Sequence, residues 1–353
     1  MTQATVNALP RTIGFDLGSK RSSFCILGSD GEVEREGSIP MSRASVEGFL
    51  AREPQSRVVL EACGVSRWTA GIARVLGHEV VIANPRRLAL VTQSCRKSDR
   101  NDAYKLADLG QVRPRLLSPV HSRGDRSYLG QMHQRVRSQL VQIRTGLVNL
   151  VRGCARTAGY PLPKCSTAAF AKRCAKALPA ELRTVLGPAF AELESVNARL
   201  AECEKETERL GREAFPEARC LRQVTGVGPV LSLAFVCAVE DPTRFEDSRS
   251  VGAYFGLAPR SRQSGAKCPQ LRISKRGDPE VRRLLVSAAT YILGPFGPDC
   301  DLRRYGKRIA ASGSQSAKSK ARIAVARKLA VLLHRIWITG QVYQPLTKER
   351  ATA

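Results

Sequence analysis

The sequence predicts an α/β plus α chain, with a mixed-sheet domain in front, a long helical middle and a compact, mostly helical end. Three observations carry that prediction. Short β-patterned runs separated by Gly-, Ser- and Asp-containing turns fill the first third. Two long stretches with apolar residues three and four apart occupy the middle. Beyond Pro216 the chain returns to short elements punctuated by Gly and Pro.

In order along the chain, strands are expected at 12–17, 22–27 and, after the turn Ser29-Asp30-Gly31, at 31–39. Strands at 57–61 and 78–83 follow, with a helix between them. Three turn-joined strands followed by β-α-β make a mixed sheet, and with an acid on the first strand the order is that of the ribonuclease-H-like folds. Pro85 opens a helix that should run, with a break, through Asp99 and Asp102 to about Leu109.

Over 125–158, Leu129, Met132, Val136, Leu140, Ile143, Leu147, Leu150 and Val151 mark one apolar face of a long helix, the other being arginine-rich. Three prolines interrupt the pattern at 159–179. It resumes with Leu182, Val185, Leu186, Leu193, Val196, Leu200, Cys203, Thr207 and Leu210. Residues 181–217 carry nine acids against five bases, so this piece suits protein or water better than DNA. The two stripes suggest an antiparallel hairpin or a dimerising coiled coil, with an ordinary intramolecular bundle as the alternative.

Gln223-Val224-Thr225-Gly226-Val227-Gly228-Pro229 and the apolar helix after it (230–239) resemble a helix-hairpin-helix element. In that reading Gly226 and Gly228 let the backbone approach a phosphate at a helix N-terminus; a plain turn between helices is the alternative. A cationic loop from Tyr254 to Asp278 leads into a helix at 279–293. The expected divisions are 1–115, 116–217 with a linker at 159–179, and 218–345.

Net charge is +26, and its distribution is uneven: residues 1–120 hold 17 Lys/Arg and 12 Asp/Glu, residues 121–353 hold 40 and 19. From Arg260 to Arg335 there are 18 basic residues and four acids. Such an excess draws polyanions and releases their counterions, which points to nucleic acid. The longest apolar stretch, 230–239, is too short to cross a bilayer and the N-terminus lacks signal-peptide order, so a cytoplasmic protein without a membrane partner is expected. Eleven cysteines without a Cys-x-x-Cys pair suggest neither zinc sites nor a disulfide framework; they read as reduced, mostly buried small hydrophobes.

Four carboxylates carry the chemistry. Asp16 lies on the first strand where it runs into a Gly/Ser turn, Glu61 closes the fourth, and Asp99 and Asp102 are three apart, on one face of a helix. Clustered hard oxygens suit divalent ions that transfer phosphoryl groups, and buried carboxylates are otherwise costly. In the cationic loop a serine among guanidinium groups has the chemistry to attack phosphorus, although hydroxyls more often turn loops or contact phosphates.

The segments Ile13-Gly14-Phe15-Asp16, Leu60-Glu61-Ala62-Cys63-Gly64 and Lys97-Ser98-Asp99-Arg100-Asn101-Asp102-Ala103 carry a resemblance to a known family. Gly226-Val227-Gly228-Pro229, Gly256-Leu257-Ala258-Pro259-Arg260, Ser264-Gly265 and Ile273-Ser274-Lys275-Arg276-Gly277 extend it over nearly the whole chain. Together they resemble the DEDD transposases of the insertion-sequence one-ten group, recombinases that work with a structured bridge RNA.

That resemblance implies a RuvC-like front domain, a coiled-coil middle and a C-terminal transposase domain with a nucleophilic serine. It carries the acidic tetrad to Asp16, Glu61, Asp99 and Asp102, holding two Mg²⁺ ions, and the nucleophile to Ser264, with Ser261 and Ser274 as competitors. The implied reaction passes through a phosphoserine that frees a 3′ hydroxyl, with Arg260, Arg262, Lys267, Lys275 and Arg276 holding phosphates. Implied partners are donor and target double-stranded DNA, a guide RNA and further copies of the chain, the acids of one protomer meeting the serine of another. Three other readings use the same residues: a Holliday-junction-resolvase-like nuclease with water as nucleophile, a sugar kinase or actin-like ATPase with Ile13–Ser19 as a phosphate loop, and a non-enzymatic RNA-binding scaffold.

Overall fold

A computed structural model describes residues 10–87, 98–260, 269 and 271–346. The chain divides into two compact units, 1–123 and 124–353. The first unit orders β1 (Thr12–Asp16), β2 (Arg21–Leu27), β3 (Val33–Pro40), α1 (Arg43–Leu50), β4 (Arg57–Glu61), α2 (Ser66–Val75), β5 (Glu79–Ala83) and α3 (Asp99–Val112). Its sheet runs β3-β2-β1-β4-β5, antiparallel across β3, β2 and β1 and parallel across β1, β4 and β5. All five strands expected from sequence are present in a mixed sheet. The helix α1 was not expected; Ser42 caps it, its Oγ accepting from Ser45 N at 3.2 Å, and it buries Val46 and Leu50.

Strand alternation sorts the side chains into two layers. Ile13, Phe15, Val58 and Leu60 pack with Val46, Leu50, Ala70 and Ala73 of α1 and α2. Val59, Val81 and Ala83 pack on the other face with Leu106 of α3 and Leu117. Of the helix expected from Pro85, residues 88–97 lie outside the described residues.

The second unit contains α4 (Asp125–Thr157), α5 (Phe170–Lys176), α6 (Ala180–Glu213), α7 (Glu217–Leu221), α8 (Pro229–Val239), α9 (Ser250–Tyr254), α10 (Pro279–Leu293), α11 (Asp301–Ile309) and α12 (Gln315–Thr339). The helices α4 and α6 run in opposite directions: His133 Nε2 meets Thr207 Oγ1 at 2.8 Å, Arg137 pairs with Glu204 at 3.6 Å, and Val151 and Ala155 share a core with Leu186 and Phe190. They pack within one chain. The helix α8 is buried from Leu231 to Val239 and forms the centre of the unit's core, with Phe255, Leu285, Ala289, Leu329 and Leu333 around it.

Five of the eight residues of the apolar stripe of α4 are turned outward, contrary to the usual sense of such a pattern, while Leu140 and Leu147 are half-buried and Val151 is fully buried. Leu129, Val136, Ile143 and Leu150 are 62, 56, 40 and 53 % exposed, while Ser127, Gly130, Gln131, Gln134 and Ser138 are buried. The reason is close approach. A Cβ at Gly130 would lie 2.5 Å from Cys237 Sγ and 3.1 Å from Phe215, so small and polar residues let α4 seat on α8, and Gln131 Nε2 donates to the Cys237 carbonyl at 3.2 Å. The cysteines also differ from expectation. Of the nine described, Cys25, Cys174, Cys237 and Cys300 are buried, Cys63 and Cys154 are exposed, and the other three are half-buried; none forms a disulfide.

Candidate active site

The carboxyl ends of β1 and β4 are neighbours. Their parallel register pairs Gly14 with Val59 and Phe15 with Leu60, which leaves Asp16 beside Glu61 at the next position, about 4.8 Å apart along the ladder. Because Phe15 and Leu60 face α1 and α2, alternation turns Asp16 and Glu61 toward the face covered by α3. Both are half-buried.

The seating of α3 on that face is set by two glycines. A Cβ at Gly14 would fall 2.0 Å from the Ala103 carbonyl oxygen and 2.5 Å from Ala107 N, and one at Gly110 would fall 2.3 Å from Val59 Cγ2. At the far end Gln111 Nε2 donates to the carbonyls of Gly28 (2.7 Å) and Pro10 (3.1 Å). The helix therefore runs back from the carboxyl edge of β1, and its first turn, carrying Asp99 and Asp102, lies at the edge where Asp16 and Glu61 end. Ser98 caps that turn, accepting from Asn101 N at 3.2 Å, and carboxylates there are favoured by the helix dipole.

The four acids thus share one edge of one face. They are not closed on a common point: Asp99 is exposed, Asp102 pairs with Lys105 at 3.6 Å, and among the described residues no three His, Cys, Asp or Glu side chains are gathered to hold an ion. Gly14 and Gly110 are the positioning residues that motif reading passes over. Their signal is a glycine inside an otherwise apolar strand and another inside a helix, each needing a reason to be there.

Of the second constellation, Ser261, Arg262, Ser264 and Lys267 lie outside the described residues. Its neck is well defined. Pro259 and Ile273 form an antiparallel bridge, with Arg260 N donating to Arg272 O at 3.0 Å and Ser274 N to Ala258 O at 2.9 Å. Below it, Gly256 and Gly277 both have positive φ; a Cβ at Gly256 would lie 2.1 Å from Arg276 O, and one at Gly277 1.9 Å from Tyr254 O. Arg282 donates to the carbonyls of Phe255 and Arg276, both at 3.0 Å. The serine loop therefore springs from a rigid base, on which Arg260, Lys275 and Arg276 are exposed. The half-buried Ser274 accepts from Arg276 N at 3.4 Å.

At the glycine turn before α8 the two glycines differ. Gly226 (φ +83°) has Ala288 O, Tyr291 and Ile292 about its Cβ position at 3.3 Å, whereas Gly228, the N-cap of α8, has nothing within 4 Å. Only Gly228 offers open backbone.

A DEDD profile of the IS110 type, described as a transposase, matches residues 13–158, and one described as "Transposase IS116/IS110/IS902 family" matches residues 218–299. A probable family 20 transposase of Pseudomonas aeruginosa is 30% identical, the match covering 80% of this chain and 83% of that protein. The transposase for insertion sequence element IS1328 of Yersinia enterocolitica is 29% identical over 78% of this chain and 82% of its own length. That for IS1111A of Coxiella burnetii is 26% identical over 80% and 78%. The acid edge falls within the first matched segment and the neck of the serine loop within the second, and the chain belongs to the IS116/IS110/IS902 family of insertion-sequence transposases.

Proposed function

We propose that this transposase cuts and rejoins DNA through a phosphoserine formed by Ser264, assisted by Mg²⁺ held at Asp16, Glu61, Asp99 and Asp102 of a RuvC-like first unit. The observation that carries this reading is the placement of all four acids at one edge of one sheet face, two on adjacent strand ends and two on the first turn of the helix seated over them. Four hard carboxylate donors suit Mg²⁺. When bound, the ions would stabilise charge on the phosphoryl oxygens of the transition state.

The chain's own residues supply the rest. Ser264 Oγ bonds to phosphorus as the P–O3′ bond breaks; its proton passes to a base, and the departing oxygen takes one up to become a free 3′ hydroxyl. That hydroxyl, or one from the partner strand, later attacks the phosphoserine and restores Ser264, so the phosphodiester bond is conserved and no external energy is needed. Arg260, Arg262, Lys267, Lys275 and Arg276 hold phosphates and neutralise their charge. Open backbone at Gly228 is suited to a phosphate, and the adjacent Gly226 provides the turn.

Sequence choice comes from a guide RNA that pairs with donor and target double-stranded DNA, the protein reading shape and backbone, as in other RNA-guided systems. The working form is a homo-oligomer acting in the cytoplasm. The decisive experiment incubates labelled DNA with Ser264→Ala protein and examines it on a denaturing gel. The covalent protein–DNA adduct is expected to vanish while RNA binding survives, and an adduct that persists refutes the assignment. Free 5′-phosphate ends without an adduct in the unmodified protein would instead favour a hydrolytic, resolvase-like reaction.

A further inference from the structure

The second unit contains a trough of about 1550 Å³, larger than the roughly 300–1,000 Å³ of small-molecule sites, and so suited to a polymer. One wall is a face of α12 running from Ser316 to Arg335, about 29 Å at the rise of an α-helix. The opposite face of α12, with Val325, Leu329 and Leu333, is buried in the core. Along the trough face cations alternate with apolar side chains: Lys320, then Ile323, then Arg327 and Lys328, then Val331, then Arg335. Arg249, Arg272 and Lys275 line the trough from its other side, and Leu271 and Ile273 are half-buried in its wall. Among the described residues a single carboxylate, Asp301, lines it. Among the described residues none of these seven cations lies within ion-pair distance of a carboxylate.

We infer that this trough binds a single-stranded stretch of polynucleotide. Seven cations with no ion-pair partner among the described residues favour an anionic occupant, and a duplex meets only half of what the surface offers. Its bases are stacked inside, so the apolar side chains between the cations would be left without partners. An unpaired strand presents phosphates on one side and base faces on the other, matching cations that alternate with apolar positions. The half-buried Tyr305 adds an aromatic ring in the wall, at present covered by Lys328 Nζ at 3.9 Å from its centroid. A phosphate draws Lys328 off, and the ring then takes a base. The trough reaches Pro259 and Ile273, the bridged neck of the serine loop, so a strand lying in it is led toward that loop's base.

The inference deepens the strand-exchange reading and rests on it for the class of polymer, but it is independent of which hydroxyl is the nucleophile. It is therefore tested on full-length Ser264→Ala protein, by fluorescence anisotropy with a labelled oligo-dT and a duplex of equal length over a range of salt. Tyr305→Leu, which keeps apolar bulk and removes the ring, is expected to weaken oligo-dT binding about fivefold or more and to leave duplex binding unchanged. Lys320→Gln/Arg327→Gln/Arg335→Gln, all at exposed positions, is expected to lower the slope of log affinity against log salt for oligo-dT by about 2. An unchanged slope in the triple variant, equal losses for strand and duplex in Tyr305→Leu, or displacement of oligo-dT by poly-glutamate as effective as by unlabelled oligo-dT would each overturn the inference, the last in favour of an acidic protein. If these tests are passed while the unsubstituted protein, with Ser264 in place, forms no covalent adduct with DNA, the phosphoserine reading is refuted and the trough assignment stands.

Discussion

Gly14→Ala is the most informative perturbation of the acid edge. The added Cβ would sit 2.0 Å from Ala103 O and 2.5 Å from Ala107 N, both backbone atoms of α3 that no rotamer change can move. The helix must withdraw from β1 by about 1 Å to restore van der Waals contact, in a layer where Ala103, Leu106 and Ala107 are fully or almost fully buried. Overpacking of this kind costs about 1–3 kcal/mol, and a backbone clash lies at the upper end. The lower chain entropy of Ala offsets roughly 0.5–1 kcal/mol, leaving a net loss near 2 kcal/mol. Trp68 belongs to the first unit and Trp337 to the second, so Trp337→Phe protein reports unfolding of the first unit through Trp68 fluorescence. At a urea dependence of about 1–3 kcal/mol per molar, the midpoint should fall by roughly 1 M. DNA cleavage should fall with it, because the same shift carries Asp99 and Asp102 away from Asp16 and Glu61. A midpoint equal to that of the unsubstituted protein would refute the direct seating of α3 on β1, and with it the argument that the four acids share an edge.

Four further outcomes are expected. Asp16→Asn/Glu61→Gln should lower cleavage on the order of 10² to 10³-fold while the Trp68 unfolding midpoint stays close to that of the parent, as read on the same samples. Gly277→Ala, at φ +78° and with a Cβ 1.9 Å from Tyr254 O, should destabilise the second unit by about 2–3 kcal/mol, read by Trp337 in a Trp68→Phe background. Gly146→Ala, in the interior of α4 with nothing within 4 Å, should instead stabilise by about 0.5–1 kcal/mol. Burial holds the imidazoles of His334 and His133 below the usual histidine value, partly opposed at His334 by the Pro242 carbonyl and Asp247, and at His133 by Glu206. The unfolded chain therefore binds more protons, and stability present above about pH 6.5 should decline as pH falls below it, a trend that thermal melts between pH 5 and 8 would register and that His334→Gln should flatten.

Much of the first unit was legible because its strands are short β-patterned runs, continuously apolar in the centre of the sheet, set off by Gly, Ser and Asp turns. The strand at Arg57–Glu61 was placed to the residue, and Asp16 and Glu61 were recognisable as strand-end acids before any geometry was known. The three-residue spacing put Asp99 and Asp102 on one helix face, but the helix was expected to run from Pro85, and only the structure set them in a first turn capped by Ser98. The helix α1 was missed because its eight residues include only a few apolar positions, too few for a period to declare itself. The orientation of α4 was misread for a deeper reason: periodicity reports that a helix has two faces, not which face its neighbour will take.

Local steric preference and counting suffice for the run of strands, the ends at which the acids sit, and the surplus of positive charge concentrated beyond residue 120. Tertiary structure alone decided that Gly14 and Gly110 bring α3 onto β1 and β4, that small and polar side chains of α4 seat on α8, and that one face of α12 becomes the wall of a trough. Those outcomes depend on which surfaces meet at contact distance. Such meetings join residues far apart in the chain, and no local pattern encodes them.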